Sequence, residues 1–482
     1  MSNLTKAQWL KRPGLFRCIL VEAQYIEAGI TKTLYLSNHA FRSLPSDNTP
    51  NIAYKNLLNV GSTLTFSQRM SVALFGKTDT STGAIEFFLH PSLESLINNA
   101  DFAGQTIKVF IGDPTWPRDN FIEKFIGLSK SIDPIDDNRA RITFSDYSAT
   151  LTTPVLTNLV SSGTNKDVFK PRCFGQCFNI EPVLLDAVTR IYQINDGAIQ
   201  AVSQVRESGF IIASTNYIVN LTAGTITINK NVTGRLTLDC QGHVEAGVYL
   251  STAEQIINYL LGLANQSNAL DSNVLPTYTL GLYIKKQRNI DDCIDELCKS
   301  VGGNWYFDAL SQFRVQHYTG VSVTSTSNVN SGQIKQASLR IKQRFAAVKQ
   351  LTLGYQKNFT PQAEGLAAAI TENSPELAAL FQNKESVVNG TNNIVNSSAA
   401  INSEISTLIA NLNDAQTELN RRLMLIKVPR TIYECETTLK THTQGETTTV
   451  TYPKYFLAGK NAVVVGHIHR LNNPTDILEV LA

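Results

Sequence analysis

Two histidines near the end of the chain are the first residues whose spacing suggests chemistry. His467 and His469 lie two apart in the segment VVVGHIHRL. If this segment is a strand, both side chains point to one face and could share a metal ion. A protein metal site needs a third and a fourth ligand, and none stands at a diagnostic spacing. The pattern therefore favours a solvated or interface face of a strand over a metal site.

A pair of cysteines, Cys173 and Cys177, offers half of an iron–sulfur or zinc site. Four residues of extended chain span about 13 Å, so binding one metal would need a turn at Gly175. Cys293 and Cys298 are five apart on a predicted helix and lie on different sides of it. Seven scattered cysteines also argue against a disulfide framework. We therefore expect small buried thiols and a protein that folds in a reducing cytoplasm.

Three carboxylates, Asp133, Asp136 and Asp137, form an acidic cluster that could bind calcium. The sequence around them lacks the glycine-centred twelve-residue loop and terminal glutamate of an EF-hand, so a solvated turn before a strand at 139 fits better. Elsewhere we find no dinucleotide-binding, phosphate-loop, zinc-protease or nucleophile-elbow signature. No Ser/His/Asp or Cys/His set stands out either. We predict no catalytic residue, no cofactor and no metal.

A basic face is predicted on the strand LRIKQRF, in which Arg340, Lys342 and Arg344 alternate with other residues. Alternate residues of a strand share one face. Lys335 extends this face within a stretch, 331–360, that contains no acidic residue. Three interpretations stay open: an exposed strand face, a surface for a protein partner, or a channel lining that touches passing nucleic acid. The interleaved aromatic residues of a single-strand binder are missing.

An acidic stretch follows, with seven Asp+Glu against three Lys+Arg in 361–425. We predict a helical hairpin over 361–427, with a turn at Asn389-Gly390 and a stop at Pro429. In its second helix, a packing seam repeats at alternating spacings of four and three over about three heptads. The hairpin packs within its own subunit or against symmetry mates, and it could meet the basic face. The seam residues are Ile401, Ile405, Leu408, Leu412, Ala415 and Leu419.

The whole chain has 482 residues, which corresponds to about three or four domains. Its 42 Lys+Arg and 40 Asp+Glu give a net charge of +2, which argues against a nucleic-acid protein built on a strongly basic surface. Only 17% of the residues are charged, and Ser, Thr and Asn take their place, which suits strands and large polar interfaces. We find neither an apolar run of membrane-spanning length nor a signal peptide, and we expect no stable membrane insertion.

Short apolar-rich segments separated by Gly, Asn, Asp and Pro predict strands through most of the chain. One of them, Arg139–Ser145, alternates strictly and should be a half-buried strand. Short helices are expected at 252–264, capped by Ser251 and Glu254, and at 290–300. The predicted fold class is α+β, mainly β, with multiple β-barrel-like or sandwich-like domains, short helices and the helical hairpin near the C-terminus. The predicted domains are a β domain at 1–160, a second β domain at 161–250, an α+β domain at 251–345 and a C-terminal β domain at 346–482 that contains the hairpin.

The order of these motifs resembles the baseplate hub, or tail tip, proteins of long-tailed, siphovirus-type bacteriophages. Five passages carry the likeness, which covers nearly the whole chain. Asp146 stands at the aspartate position of the second passage. The passages are FRCILVEAQY with LYLSNHAF, GDPTWPRDNFIEKFIGLSKSI with FSDYSATLTTPV, KPRCFGQCFNIEPVLLDAVTRIYQINDGAIQAV, GLYIKKQRNIDDCIDELCKSVGGNWYFDALSQFRV, and LTLGYQKNFTPQ followed by DAQTELNRRL.

This resemblance implies a structural virion protein without enzymatic activity. Such hubs form a ring, commonly a homotrimer, below the distal tail protein, and they hold a central fibre or spike. The ring surrounds the channel for the tape measure protein, and DNA passes through it only as cargo. The protein would be made in the host bacterial cytoplasm and act at the distal end of the tail, in host cell attachment and genome ejection. The alternative is a tail-associated cell-wall hydrolase or carbohydrate-binding β protein, suggested by Trp116, Trp305 and Tyr306, although Trp305 is interpreted as a core residue.

Overall fold

A computed structural model gives the architecture of the chain. It describes residues 6–11, 15–59, 65–71, 75–266, 270, 273–393, 401–438, 442–455, 457–470 and 475–482. Strands make up 46% of the structure, about twice the share in average globular proteins. The prediction of a mainly β fold with several sheets and few short helices is confirmed. Within the described ranges, no helix is long and apolar enough to cross a bilayer.

The N-terminal part consists mostly of short antiparallel strands. Nine of them form the N-terminal sheet, in the order β3-β4-β2-β1-β10-β11-β12-β8 with β9 beside β1. Strand β12 has the predicted bounds and the predicted alternation, with Ala140, Ile142 and Phe144 buried. The elements are α1 Lys6–Lys11, β1 Cys18–Glu27, β2 Ile30–Ser37, β3 Phe41–Arg42, β4 Ala53–Asn56, β5 Thr65–Arg69, β6 Gly76–Lys77, β7 Asp79–Thr82, β8 Ala84–Phe88, α2 Ser95–Asn99, β9 Ala100–Asp101, β10 Thr106–Gly112, β11 Ile122–Asp136 and β12 Arg139–Ser145.

The middle part combines two sheets with two helices and a hairpin. A six-stranded sheet has the order β17-β16-β20-β13-β22 with β21 beside β20, and a four-stranded sheet has the order β14-β15-β19-β18. The hairpin β23-β24 accepts β6 as a third strand. The elements are β13 Arg172–Ile180, β14 Val183–Asp186, β15 Ile191–Gln193, β16 Ile199–Glu207, β17 Phe210–Ile211, β18 Tyr217–Asn220, β19 Thr225–Ile228, β20 Leu236–Glu245, β21 Val248–Tyr249, α3 Ala253–Leu263, β22 Gly281–Ile284, α4 Ile290–Val301, β23 Gly303–Phe307 and β24 Phe313–His317.

The last part builds the eight-stranded C-terminal sheet, in the order β25-β31-β32-β33-β30-β26. Strand β5 pairs with β32 and β7 pairs with β5, so residues 65–69 and 79–82 belong to this sheet. A separate three-stranded sheet has the order β28-β27-β29. The elements are β25 Ser327–Asn330, β26 Arg340–Phe345, β27 Val348–Tyr355, α5 Ala368–Asn373, α6 Pro375–Gln382, β28 Ser386–Thr391, β29 Ile401–Ser406, α7 Leu412–Ile426, β30 Arg430–Thr437, β31 Thr447–Tyr452, β32 Leu457–Arg470 and β33 Asp476–Leu481.

The two predicted short helices are present as α3 and α4. Thr252 and Gln255 form the capping box of α3, one residue later than the predicted Ser251 and Glu254. Helix α4 ends at Gly302, whose φ of 72° lies in the left-handed region. A side chain at Gly302 would also displace the guanidinium of Arg421 from α7. Both helices pack into the largest hydrophobic core, together with β22, β23, β27 and α7.

The predicted helical hairpin over 361–427 is wrong. Its first half contains the short helices α5 and α6 and then strand β28, and the predicted turn at Asn389-Gly390 lies inside β28. Its second half begins with strand β29, and a helix starts only at Leu412. The physical reason is strand β27, which pairs with β28 on one side and with β29 on the other. Gly390 faces Leu423 of α7 so closely that a side chain there would clash, so the glycine allows the helix to approach the sheet.

The predicted seam is therefore not one helical stripe. Ile401 and Ile405 lie on β29, Leu408 lies in the following loop, and the last three residues lie on α7. Leu412 is 52% exposed, whereas Ala415 and Leu419 are buried in the large core. A spacing of four places two residues on one face of a strand as well as of a helix, so this spacing could not tell the two apart. The four predicted domain ranges stay a prediction.

Candidate interaction surface

The predicted basic face lies on β26, an edge strand of the C-terminal sheet. All three strand residues, Arg340, Lys342 and Arg344, are exposed, but they do not share one face. A β-bulge between Ile341 and Gln343 makes Lys342 an extra residue, so Arg340 lies opposite Glu434 on one face and Arg344 lies opposite Thr431 on the other. The predicted common face is therefore wrong for Arg344, because strict alternation does not allow for a bulge. Lys335 lies in the turn before the strand and is exposed.

Acidic residues of β30, the neighbouring strand, neutralise most of this face. The Arg340 Nε donates to the Glu434 Oε1 at 3.0 Å, and the Lys335 Nζ donates to the Glu436 Oε2 at 2.9 Å. The Lys342 Nζ lies 3.3 Å from the Glu434 Oε2. The sequence stretch 331–360 holds no acidic residue, but pairing in the sheet brings in carboxylates from about a hundred residues downstream. The face is thus paired inside the chain, and its carboxylates do not come from the predicted acidic hairpin.

These pairs belong to a charge ladder that crosses the sheet. We use this name for the cross-strand neighbours Arg340, Glu434, Glu479, Gly466 and Arg69, which lie on β26, β30, β33, β32 and β5. The two glutamates are direct neighbours, an arrangement that is destabilising without cations on both sides. Gly466, on β32, has no side chain. The side chain of Arg69 on β5 therefore reaches across β32, and its Nε donates to the Glu479 Oε2 on β33 at 2.8 Å.

Glu479 is the buried centre of the ladder. Its exposure is 1%, and the Lys342 Nζ donates to its Oε1 at 2.5 Å from the side opposite Arg69. Burial alone would raise the pKa of Glu434, but the hydrogen bond from Arg340 and the charge of Lys342 lower that pKa below its usual value. The hydrogen bond to Glu479 raises the pKa of Arg69, with burial acting against it. Both directions favour the ionised pairs at neutral pH.

Arg344 is the exception among the four predicted basic residues. It is exposed at the edge of the sheet, opposite Thr431 in the register. Within the part of the chain that the structure describes, no carboxylate forms an ion pair with it. Of the predicted interaction face, Arg344 is therefore the residue whose charge is left for a partner. A sequence signal for the other pairings exists in the segment TIYECET, where Glu434 and Glu436 alternate like the basic residues of β26.

The two candidate metal histidines lie side by side on β32. Their ring centroids are 4.3 Å apart, which agrees with the predicted common face. His467 is buried, which corrects the prediction of a solvated face, and burial lowers its pKa to about 3. The His469 Nδ1 lies 2.7 Å from the Asp476 Oδ2. Among the described residues, no group of three or more potential ligands is arranged to hold a metal ion.

The cysteines at 173 and 177 are buried thiols, as predicted. Gly175 adopts a φ of 63°, and this bend supplies the turn that the sequence spacing called for. A third thiol, Cys240 of β20, has its Sγ 3.4 Å from the Cys173 Sγ. Sequence spacing could not reveal Cys240, because only the β13–β20 pairing brings it near. Burial raises the pKa of Cys177, which keeps this thiol protonated and unreactive.

The remaining candidates have structural roles. Asp136 accepts hydrogen bonds from the Asn138 backbone N–H and from Arg139 in the β11–β12 turn, as the solvated-turn interpretation expected. Asp146 accepts a hydrogen bond from the Ser148 backbone N–H and caps a short 3-10 helix. Trp305 has no exposed surface and stacks on Phe313 in the large core. It is thus a core residue and offers no platform for a sugar.

Comparison with known proteins gives structural neighbours only. No protein-family model matches the chain, and no curated protein matches it. The 43 kDa tail protein of prophage MuSo2 from Shewanella oneidensis is 10% identical over 96% of this chain and 97% of its own, with a TM-score of 0.43. The prophage tail protein gp18 from Listeria monocytogenes is 11% identical over 96% and 94%, with a TM-score of 0.42. The tail protein from Neisseria meningitidis is 8% identical over 97% and 96%, with a TM-score of 0.43. All three are described as tail proteins.

Proposed function

We propose that this chain is a structural, non-enzymatic hub at the tip of a phage tail. The observation that carries the proposal is the series of five sequence passages, which extend from Phe16 to Leu423 in the order of baseplate hub proteins. The fold is compatible with a connecting role, because residues 65–69 and 79–82 belong to the C-terminal sheet and tie the two ends of the chain together.

The residues whose types could do chemistry make contacts within the chain, and these contacts support a structural role. Cys173 and Cys240 contact each other in the interior, and His469 is paired with Asp476. Trp305 fills the core, and most of the basic face is neutralised within its own sheet. These groups are engaged in contacts within the chain, which favours a structural role over a catalytic one.

We further propose that the hub is a ring, a homotrimer, between the distal tail protein and a central fibre or spike. The tape measure protein and then DNA pass through its channel, and the protein lies at the distal end of the virion tail. Neighbouring exposed apolar side chains support assembly, because a contiguous exposed apolar patch marks a contact surface. Phe210 and Ile211 stand next to each other at the tip of the β16–β17 hairpin, and both are more than half exposed.

Gold-labelled antibodies against this chain test the location in virions viewed by negative-stain electron microscopy. We expect gold particles only at the distal end of the tail. Labelling along the tail tube, on the head, or on no part of intact particles would overturn the proposal. The antibody must first be shown to bind the folded protein, so that an absence of label is informative.

The ring is tested by cross-linking mass spectrometry on assembled tails. We expect links between copies of the chain at the β16–β17 tip, and loss of incorporation for the double variant Phe210→Ser with Ile211→Ser. The matched control is Ile30→Ser, which removes an equally exposed apolar side chain from the β1–β2 hairpin. Equal incorporation of both variants would show that the β16–β17 tip makes no subunit contact.

A further inference from the structure

Two exposed surfaces of this chain have complementary chemistry. The first surrounds the end of the β16–β17 hairpin, where Phe210 and Ile211 are both more than half exposed. This end lies against the helices α5 and α6, and the Ala367 backbone N–H at the start of α5 donates to the Ser208 carbonyl at 2.9 Å. We call the end of the hairpin together with residues 361–382 the tip surface.

The tip surface is acidic. Glu364, Glu372 and Glu376 are exposed, and none of them forms an ion pair with another residue that the structure describes. The stretch 361–382 contains no lysine or arginine, and the next cation along the chain is Lys384. Exposed apolar side chains and carboxylates are thus neighbours on this surface.

The second surface is a groove along helix α7, which we call the α7 groove. Its volume is about 380 Å³. An apolar cavity of about 150 Å³ accommodates benzene, so the α7 groove has room for two apolar side chains. Met424 in its wall is 67% exposed, and methionine adapts its shape to an apolar partner. The lining residues are Thr319, Thr417, Asn420, Arg421, Met424 and Leu425.

The α7 groove is positively charged. No described lining residue is acidic, and the stretch 420–430 contains four basic residues and no acidic one. Glu418 pairs with both Arg421 and Arg422, so one carboxylate balances two guanidinium groups. Lys427, directly after α7, is exposed and forms no ion pair with a described residue. The α7 groove therefore carries the charge opposite to that of the tip surface.

Opposite charges on two surfaces of one chain favour one kind of contact between copies. A contact of either surface with its own copy would bring like charges together, which is unfavourable. A contact between the two unlike surfaces is heterologous, so each copy offers one surface to each of two neighbours. Contacts of this kind form a ring when the rotation between copies closes.

We propose that the tip surface of one copy binds the α7 groove of the next copy. Phe210 and Ile211 enter the groove beside Met424, and the carboxylates of α5 and α6 face Lys427. The inference deepens the proposed ring, on which it rests, because it names the partner surface of the β16–β17 tip.

Photo-cross-linking in assembled tails tests where the tip surface lies. One variant carries p-benzoylphenylalanine in place of Phe210, and the tails are assembled from isotope-labelled and unlabelled copies so that mass spectrometry recognises links between copies. We expect such links from position 210 to α7 or to Thr319. The same photoreactive residue in place of Ile30, an equally exposed position on the β1–β2 hairpin, should give no link to α7.

The outcomes separate this inference from the ring itself. Links between copies that reach another surface of the chain would overturn the inference and leave the ring standing. Links only to another tail protein, or no link at all, would overturn the inference together with the subunit contact at the β16–β17 tip.

Charge reversal tests the complementarity of the two surfaces. Glu376→Lys and Lys427→Glu, both at exposed positions, should each lower incorporation into tails about tenfold, because like charges then face each other. The double variant should recover incorporation, since the reversed charges attract again. Glu94→Lys, at an exposed glutamate outside both surfaces, is the control, and circular dichroism checks that each variant is folded. No recovery in the double variant, or an equal loss in the control, would overturn the inference.

Discussion

The two largest sheets of this protein are assembled in opposite ways. The N-terminal sheet draws all its strands from residues 18–145, and they pair over an apolar core of isoleucine, leucine, valine and phenylalanine. The C-terminal sheet takes strands from 65–82, 327–345 and 430–481, and the charge ladder crosses five of them. One sheet is therefore mostly local and apolar, whereas the other is long-range and carries ionised groups into its interior.

The difference teaches what each kind of contact specifies. Apolar burial stabilises a sheet strongly but tolerates many partners, because the hydrophobic effect has no direction. A buried carboxylate such as Glu479 tolerates few arrangements, because any register that removed Arg69 or Lys342 would leave its charge unpaired. We infer that the ladder sets the register of the strands that come from distant parts of the chain.

The largest effect is expected in the apolar core of the N-terminal sheet. Phe87 has no exposed surface, and Phe87→Ala should lower the free energy of unfolding by about 4 kcal/mol through lost burial and a cavity. The matched control is Phe88→Ala on the same strand, since Phe88 is half exposed and should change stability little. Denaturant titration followed by circular dichroism measures both variants. Equal losses would contradict the assigned faces of this strand.

The next effect concerns the centre of the charge ladder. Glu479→Gln should lower the free energy of unfolding by about 2–3 kcal/mol. This loss is no larger than the smallest expected for a fully buried ion pair, because Arg69 and Lys342 are partly exposed to solvent. Glu404→Gln, at an exposed glutamate on β29, is the control and should leave stability unchanged. Calorimetry that showed Phe87→Ala and Glu479→Gln shifting one common transition would break the comparison, because the two sheets would then unfold as one unit.

A pH effect distinguishes the sheets, since His467 is buried in the C-terminal sheet and the described part of the N-terminal sheet has no buried histidine. Burial lowers the pKa of His467 to about 3, so the unfolded chain binds its proton more readily. The stabilisation is full above about pH 6.5 and is lost as the pH falls toward 3, by about 2 kcal/mol at pH 5.

His467→Gln should remove this part of the pH dependence, measured as the free energy of unfolding at pH 7 and pH 5. His39→Gln, at an exposed histidine, serves as the control. His317 contributes in the same direction, because burial lowers its pKa to about 4, so some slope remains in the variant. A difference between pH 7 and pH 5 that is the same in the parent and in His467→Gln would contradict the assigned burial.

The smallest change in the free energy of unfolding is expected at Arg344, the basic residue of β26 that forms no ion pair with a described carboxylate. Arg344→Ala should change the free energy of unfolding by less than about 0.5 kcal/mol, since its side chain is exposed and outside the ladder. Lys342→Ala removes a cation that pairs with Glu479. It should lower the free energy of unfolding by more than Arg344→Ala does in the same denaturant titration. If Arg344→Ala were the more destabilising variant, the ladder would not end where the structure places it.

Local patterns predicted the parts of the fold that depend on neighbouring residues. Strand β12 has its predicted bounds because strictly alternating apolar and polar residues fit a strand with one buried face. Helices α3 and α4 follow from the spacing of apolar residues and from residues at their ends. The same reasoning failed for 361–427, because β29 is a strand only through its parallel pairing with β27. Its own sequence, with isoleucines four apart, fits a helix equally well.

The candidate site shows the same division. The basic residues Arg340, Lys342 and Arg344 could be read from the sequence, but the bulge that turns Arg344 to the other face could not. Whether the charge of the other two was free for a partner depended on Glu434 and Glu479, far along the chain. In the same way the thiol pair at 173 and 177 was visible, whereas the nearby Cys240 was not.

Composition and short-range order were enough to predict a mainly β chain of several sheets, nearly neutral overall, whose ordered passages resemble tail hub proteins. These properties need no knowledge of contacts. The contacts of the folded chain were needed to establish that Arg340 and Lys342 are paired and that His467 is buried. The charge balance and burial of a side chain depend on the strands beside it, and in the C-terminal sheet these strands come from distant parts of the chain.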